Sequence, residues 1–207
     1  GEHGVASAFV SSRTPPRIGY AAGAHVVPAF RRNGRMQGPQ RKPARVSSLP
    51  GAKVLFDPNA GPDLWWLLGQ YVGDGQARTD RPEIGWSVGG SQENLARIRS
   101  ILKRFGLHFW EDGPATNRRI LTSSKHLRAL CESFGRLAPD KYVPHDLLRL
   151  DAERTQAMIE GYLDADGCVS VSRLKAVDAW KATSTSLSLL QGIQRLCWRL
   201  GWAAGVS

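Results

Sequence analysis

Two segments of this chain end in the same way, and together they constrain its fold more than any other feature. Leu67-Leu68-Gly69-Gln70-Tyr71-Val72-Gly73-Asp74-Gly75 is matched by Ile159-Glu160-Gly161-Tyr162-Leu163-Asp164-Ala165-Asp166-Gly167. Each reads as an apolar helix with small residues four apart on one face, stopped by Asp-Gly. Glycine costs a helix interior about 1 kcal/mol relative to alanine. Its use at Gly69 and Gly161, with Gly73 matching Ala165, therefore points to two helices packed backbone to backbone. Such a pair delivers two carboxylates to one place. Both acids lie at the end of the macrodipole that disfavours anions, and beside each other they repel, so the arrangement calls for a cation. Mg²⁺, which takes one or two carboxylates and retains waters for phosphate oxygens, meets that need.

The rest of the chain repeats part of this order. A strand over Ile84–Val88 precedes a helix capped by Ser91, with Leu95, Ile98, Ile101, Leu102 and Phe105 in register and Gly106 as its stop. Leu107–Trp110 and Arg118–Leu121 read as a hairpin, and a helix follows over Ser124–Phe134. Residues 168–174 and 179–185 read as strands. Leu190, Ile193, Leu196, Cys197 and Leu200 then form a stripe ended by Gly201. The expected class is α+β, a duplicated helix-strand-strand-helix unit whose second copy stops short and is expected to be truncated.

Three regions follow: a basic, Pro/Gly-rich segment 1–60, partly disordered or accessory, a first unit 61–150 and a second 151–207. Short strands are expected near His25–Phe30 and Lys53–Phe56. The chain begins with Gly, as a processed product or fragment would.

The net charge of +10 favours a polyanionic partner, nucleic acid before membrane. Residues 1–60 supply much of it, with nine Lys or Arg against Glu2 and Asp57. No apolar run approaches the roughly 20 residues that span a bilayer. The three cysteines lack metal-site or disulfide spacing, which suits a reducing compartment.

The paired motifs resemble those of the LAGLIDADG homing endonucleases, particularly the endonuclease domains inserted in inteins. Gly161–Gly167 carries the family's signature and Leu68–Gly75 a variant of it; Asp140-Lys141-Tyr142-Val143-Pro144 and Thr183–Leu187 resemble further family segments, so that the likeness runs over about 61–205. The resemblance implies a duplicated fold, a pseudo-twofold monomer with two saddle-shaped antiparallel sheets in the DNA major groove, its helix interface at Gly69, Gly73, Gly161 and Ala165. It implies site-specific, Mg²⁺-dependent cleavage of double-stranded DNA, with Mn²⁺ as a substitute. Asp74 and Asp166, with Gly73 and Ala165 beside them, would hold the metal. Lys141 would be the basic member of the site and Lys181, in preference to Lys175, its second-half partner. Gln76, Arg78, Arg81, Arg118, Arg119 and Arg173 would contact DNA. A host intein splicing domain is an implied partner, and the cytoplasm, with the nucleoid in a bacterium, the implied location. The competing readings are a non-cleaving DNA-binding or regulatory relative and an RNA-binding intron maturase.

Overall fold

Helix α1 (Pro62–Asp74) starts where proline fits a first turn, and its residues Leu64 to Val72 are all buried. Helix α4 (Ala152–Asp166) is started by Asp151, whose side chain accepts from the Arg154 amide at 2.8 Å. The two helices cross with main chain against main chain. A Cβ on Gly69 would lie 2.2 Å from the Met158 carbonyl oxygen, and one on Gly161 would lie 2.1 Å from that of Trp66. No larger residue fits either position. Gln70 Nε2 donates to the Gly161 carbonyl at 3.0 Å across the same crossing.

The computed structural model describes residues 6–11, 61–170 and 179–207. Each helix of the crossed pair runs directly into a strand: α1 into β2 (Gly75–Ala77) and α4 into β6 (Gly167–Ser170). The first sheet adds β3 (Ile84–Ser87), β4 (Trp110–Asp112) and β5 (Arg119–Thr122), in the order β2-β3-β5-β4. The second has the order β6-β7-β1-β8, from β7 (Ala179–Ser184), β1 (Ala6–Ser11) and β8 (Ala203–Val206). All the pairings are antiparallel. Helix α2 (Gln92–Arg104) lies between β3 and β4, α3 (Lys125–Glu132) follows β5, and α5 (Leu187–Arg199) lies between β7 and β8. Serine side chains cap all three, Ser91, Ser124 and Ser186 accepting from the amides of Asn94, Leu127 and Leu189.

The duplicated, pseudo-twofold fold with paired saddle sheets, expected from the sequence, is overturned by this architecture. The described residues form one domain around one continuous core, in which buried residues of their five helices join, from Leu64 and Trp66 to Leu196 and Cys197. The second sheet is no copy of the first. Its interior strand comes from the far N-terminal part of the chain, and among the described residues β7 is followed directly by α5, with no counterpart of α3 or of the β4–β5 hairpin. The expectation failed because it matched helices and stops along the chain, whereas strand β1 is remote in sequence from its partners.

Smaller differences have local causes. The hairpin begins at Trp110 instead of Leu107, because the Leu107 amide folds back to the Leu102 carbonyl at 2.9 Å and prolongs the helix stop. The strands expected at His25–Phe30 and Lys53–Phe56 lie outside the described residues. No helix among the described residues is long and apolar enough to cross a membrane.

Candidate functional site

Asp74 and Asp166 are the last residues of the crossed helices. Because the crossing at Gly69 and Gly161 is so close, the helix ends stay together. A Cβ on Gly73 would stand 2.5 Å from that of Ala165 and 3.5 Å from the Asp166 carboxyl. The two carboxyl groups lie within hydrogen-bonding reach of each other.

Burial pushes the Asp166 carboxyl up to about 6, the neighbouring Asp74 charge adds to the rise, and the Lys141 charge works against it. Asp74 is exposed to solvent, yet the protein packed on its inner side raises its carboxyl too, against the pull of Lys141 and of the hydrogen bond to Asp166. Two anions are therefore costly here, and the pair favours a shared proton or an added cation.

Lys141 supplies one positive charge from inside the protein. It is 2% exposed, its Nζ donates to the Gly73 carbonyl at 2.6 Å, and it lies 5.5 Å from the centre of the Tyr71 ring. Burial draws its pKa down to about 8 although both acids favour the charged form. The carbonyl it meets belongs to the last turn of α1, where a cation offsets the macrodipole.

Three elements fix the lysine. The Tyr71 hydroxyl donates to the Gly135 carbonyl at 2.8 Å, tying the segment after α3 to α1. The Tyr142 amide donates to the Phe134 carbonyl at 2.9 Å. The Lys141 carbonyl accepts from Ser186 Oγ at 2.5 Å, so the residue that caps α5 also holds the lysine's main chain.

Asp164, two residues before Asp166, has a separate use. Its Oδ2 accepts the Trp66 indole N–H at 2.8 Å, and its carbonyl accepts from Asn94 Nδ2 at 2.8 Å. The Arg97 guanidinium covers the same indole at 4.1 Å. The signal in the sequence is Trp66 itself, since a tryptophan in a buried helix needs an acceptor for its N–H. Asp74, Asn94, Asp164 and Ala165 line a cleft of about 220 Å³ with the Ser87–Ser91 turn.

The remaining expected residues lie on or beside the sheets. Lys181 is on β7 opposite Cys168, and Gln76 is half-buried on β2. Arg78 pairs with Asp80 at 2.8 Å, and Arg81 lies 3.8 Å from the same carboxylate. Arg119, at the start of β5, pairs with Asp112, and its neighbour Arg118 bears on Glu111. Arg173 and Lys175 lie outside the described residues. The structure thus gathers Asp74, Asp166, Gly73, Ala165 and Lys141 into one place and sets the arginines apart on the first sheet, several in ion pairs.

Among the described residues no group of three or more His, Cys, Asp or Glu side chains could hold a metal. The available donors are the two carboxylates and adjacent main-chain oxygens. That oxygen set, with raised carboxyl pKa values, fits a hard divalent cation that keeps several of its waters.

Residues 153–206 match the family model described as a LAGLIDADG-like domain. No curated protein matches the chain at a significant level. Among solved structures, the homing endonuclease I-DmoI with DNA and Mn aligns with a TM-score of 0.37 and 13% identity, over 58% of this chain and 89% of that one. Mesophilic variants of I-DmoI give 0.38 and 12%, over 69% and 97%. The N-terminal LAGLIDADG domain of DUF199/WhiA gives 0.37 and 11%, over 73% and 87%. At these TM-scores the structural likeness carries no weight beside the match of residues 153–206. The likeness to LAGLIDADG-like domains is therefore a likeness of residues 153–206, the segment from helix α4 to strand β8.

Proposed function

We propose that the chain is a divalent-metal-dependent endonuclease that hydrolyses phosphodiester bonds at a specific site in double-stranded DNA. One observation carries this reading: two carboxyl groups with raised pKa values meet at the crossed helix ends, with the buried Lys141 acting on both. Two acids set against each other cost a purely structural helix end stability, whereas a phosphate-cleaving site uses them to hold a cation.

Asp74 and Asp166 would hold Mg²⁺, or Mn²⁺ in its place, with the Gly73 and Ala165 carbonyls adjacent. Bound there, the ion would supply Lewis-acid stabilisation of charge on the phosphate and lower the pKa of an attacking water. The chain's own residues do the rest. Lys141, held by Gly73 and Ser186, presents a fixed positive charge that needs no reorganisation as negative charge develops. With a pKa of about 8 it can also hold or release a proton near neutrality. Gln76, Arg78, Arg81, Arg118 and Arg119 lie on or next to the first sheet and would meet phosphates or base edges; the ion pairs of Arg78 and Arg119 would exchange acid for phosphate on binding.

A supercoiled plasmid carrying the uninterrupted allele of the host gene tests the proposal. Linearisation is expected with Mg²⁺ or Mn²⁺ and none with EDTA. Asp74→Asn and Asp166→Asn should each abolish cutting and leave most DNA affinity intact. Full cutting by either variant would remove that residue from the mechanism. Binding by the parent protein without cutting in any metal would favour the regulatory reading.

A further inference from the structure

From the second sheet we infer that the space between β7 and β8 is a strand-binding site, and that its occupation by residues 6–11 holds Asp166 in place. Strand β1 pairs with β7 over its whole length, Ala6 with Ser184 through to Ser11 with Ala179. It pairs with β8 from Ala8, opposite Val206, to Ser11, opposite Ala203. No pairing joins β7 to β8 directly, so β1 alone connects them within the sheet.

The first sheet shows what that position means. There β5 lies between β3 and β4, bonded to both, and it comes from the same stretch of chain as its neighbours. In the second sheet the corresponding interior place is filled by a segment that reaches it across residues 12–60. The segment Ala6-Ser7-Ala8-Phe9-Val10-Ser11 has neither charge nor proline, the composition an interior strand needs. The ladder, not the covalent connection, determines where it binds, as in strand addition by a separate peptide.

The pairing then runs straight to the acid. Ala8 faces Ala182 on β7, and Ala182 faces Gly167 on β6, the residue after Asp166. Phe9 faces Lys181, which faces Cys168. Strand β1 also lies against helix α5, whose cap Ser186 holds Lys141. An empty slot would leave β7 with one neighbour and β8 with none, and would loosen the strand that anchors the Asp166 end of α4. The occupant is this chain's own residues 6–11, and a free peptide of that sequence is equally suited to the slot.

The test uses the full chain with Ala8→Pro, which removes a ladder donor from an interior strand. The variant is expected to melt about 5 °C lower or more, and a peptide spanning residues 4–13 should restore the melting temperature. About 1 mM peptide is appropriate, because a tethered segment acts at an effective concentration of that order. A scrambled peptide should do nothing. Parent-like melting of Ala8→Pro, or no response to the peptide, overturns the inference. Should Ala8→Pro fail to fold, a protease site inserted within residues 12–60 replaces it. After cutting, the N-terminal fragment should co-elute with the domain, and its departure without change in melting would equally overturn the idea. The link to Asp166 rests on the nuclease reading and has its own readout: peptide should rescue DNA cleavage along with melting. Peptide-dependent melting in a protein that never cuts DNA would retain the strand site and remove the nuclease.

Discussion

The two sheets reach similar four-stranded form by different means. The first takes its strands from residues 75–122, so each pairing closes a short stretch of chain. The second brings together residues 6–11 and 167–206 and must order one strand across nearly the whole sequence. Loop closure grows only slowly with length, so the penalty in stability is modest, but β8 cannot join β6 and β7 in the sheet until the distant strand arrives. Each sheet nevertheless continues one of the two helices that carry the acids. The site therefore joins a half built locally to a half completed from afar.

What the halves share should be the most sensitive to change. Gly161→Ala places a methyl 2.1 Å from the Trp66 carbonyl oxygen, a clash with rigid main chain. It should cost about 3 kcal/mol or more in urea unfolding and impair both halves in a single transition. Separate loss of the second sheet, with the first intact, would break the view that one crossing holds both.

A tryptophan on each sheet sharpens the contrast. Trp86 on β3 is fully buried and donates its Nε1–H to the Leu67 carbonyl at 3.2 Å; Trp180 on β7 is only half-buried. Trp86→Ala should cost about 3–5 kcal/mol and Trp180→Ala about half as much, both read from urea midpoints. Equal losses would mean that the second sheet is packed as firmly as the first.

The smallest effect concerns the acids. Asp166 is raised to about 6 from its ordinary value of 3.8, so it contributes stability below that ordinary value and loses it as pH rises through about 6. Asp74 is shifted in the same direction. Lys141, depressed to about 8, runs the other way: its contribution is present above 10.5 and lost as pH falls through about 8, outside the acid window. Metal-free Asp166→Asn should therefore be more stable than the parent at pH 7 by about 1–2 kcal/mol, with the gain vanishing near pH 4. Mg²⁺ at a hundred times its Kd should stabilise the parent by about 2.7 kcal/mol and the variant far less. A parent that ignores both pH and Mg²⁺ would place no strain at the carboxyl pair.

Much of this was legible because it is local. The glycine spacing indicated the helix pair, Ser91 followed by an apolar stripe indicated α2, a stripe ended by Gly201 indicated α5, and Asp-Gly marked both ends of the crossed pair. The position of Lys141 beside the acids followed from a motif resemblance, since nothing in its immediate neighbours shows a residue 2% exposed. Strand β1 was illegible for the opposite reason. Ala6–Ser11 is too short and too weakly patterned to stand out, and its meaning depends on partners more than 160 residues away. The hydrogen bond from Trp66 to Asp164 falls between these cases, because its two members stand on different helices, 98 residues apart in sequence.

The contact between Gly69 and Gly161 also limits how this protein can be repaired. Where side chains set the spacing of two helices, an enlarged residue can be forgiven by trimming the one that faces it. Here the facing atoms are carbonyl oxygens and main-chain nitrogens, which no codon change can shorten. A variant that widens this crossing has no compensating partner within it, and the interval between the two carboxylates is inherited from the peptide bond itself.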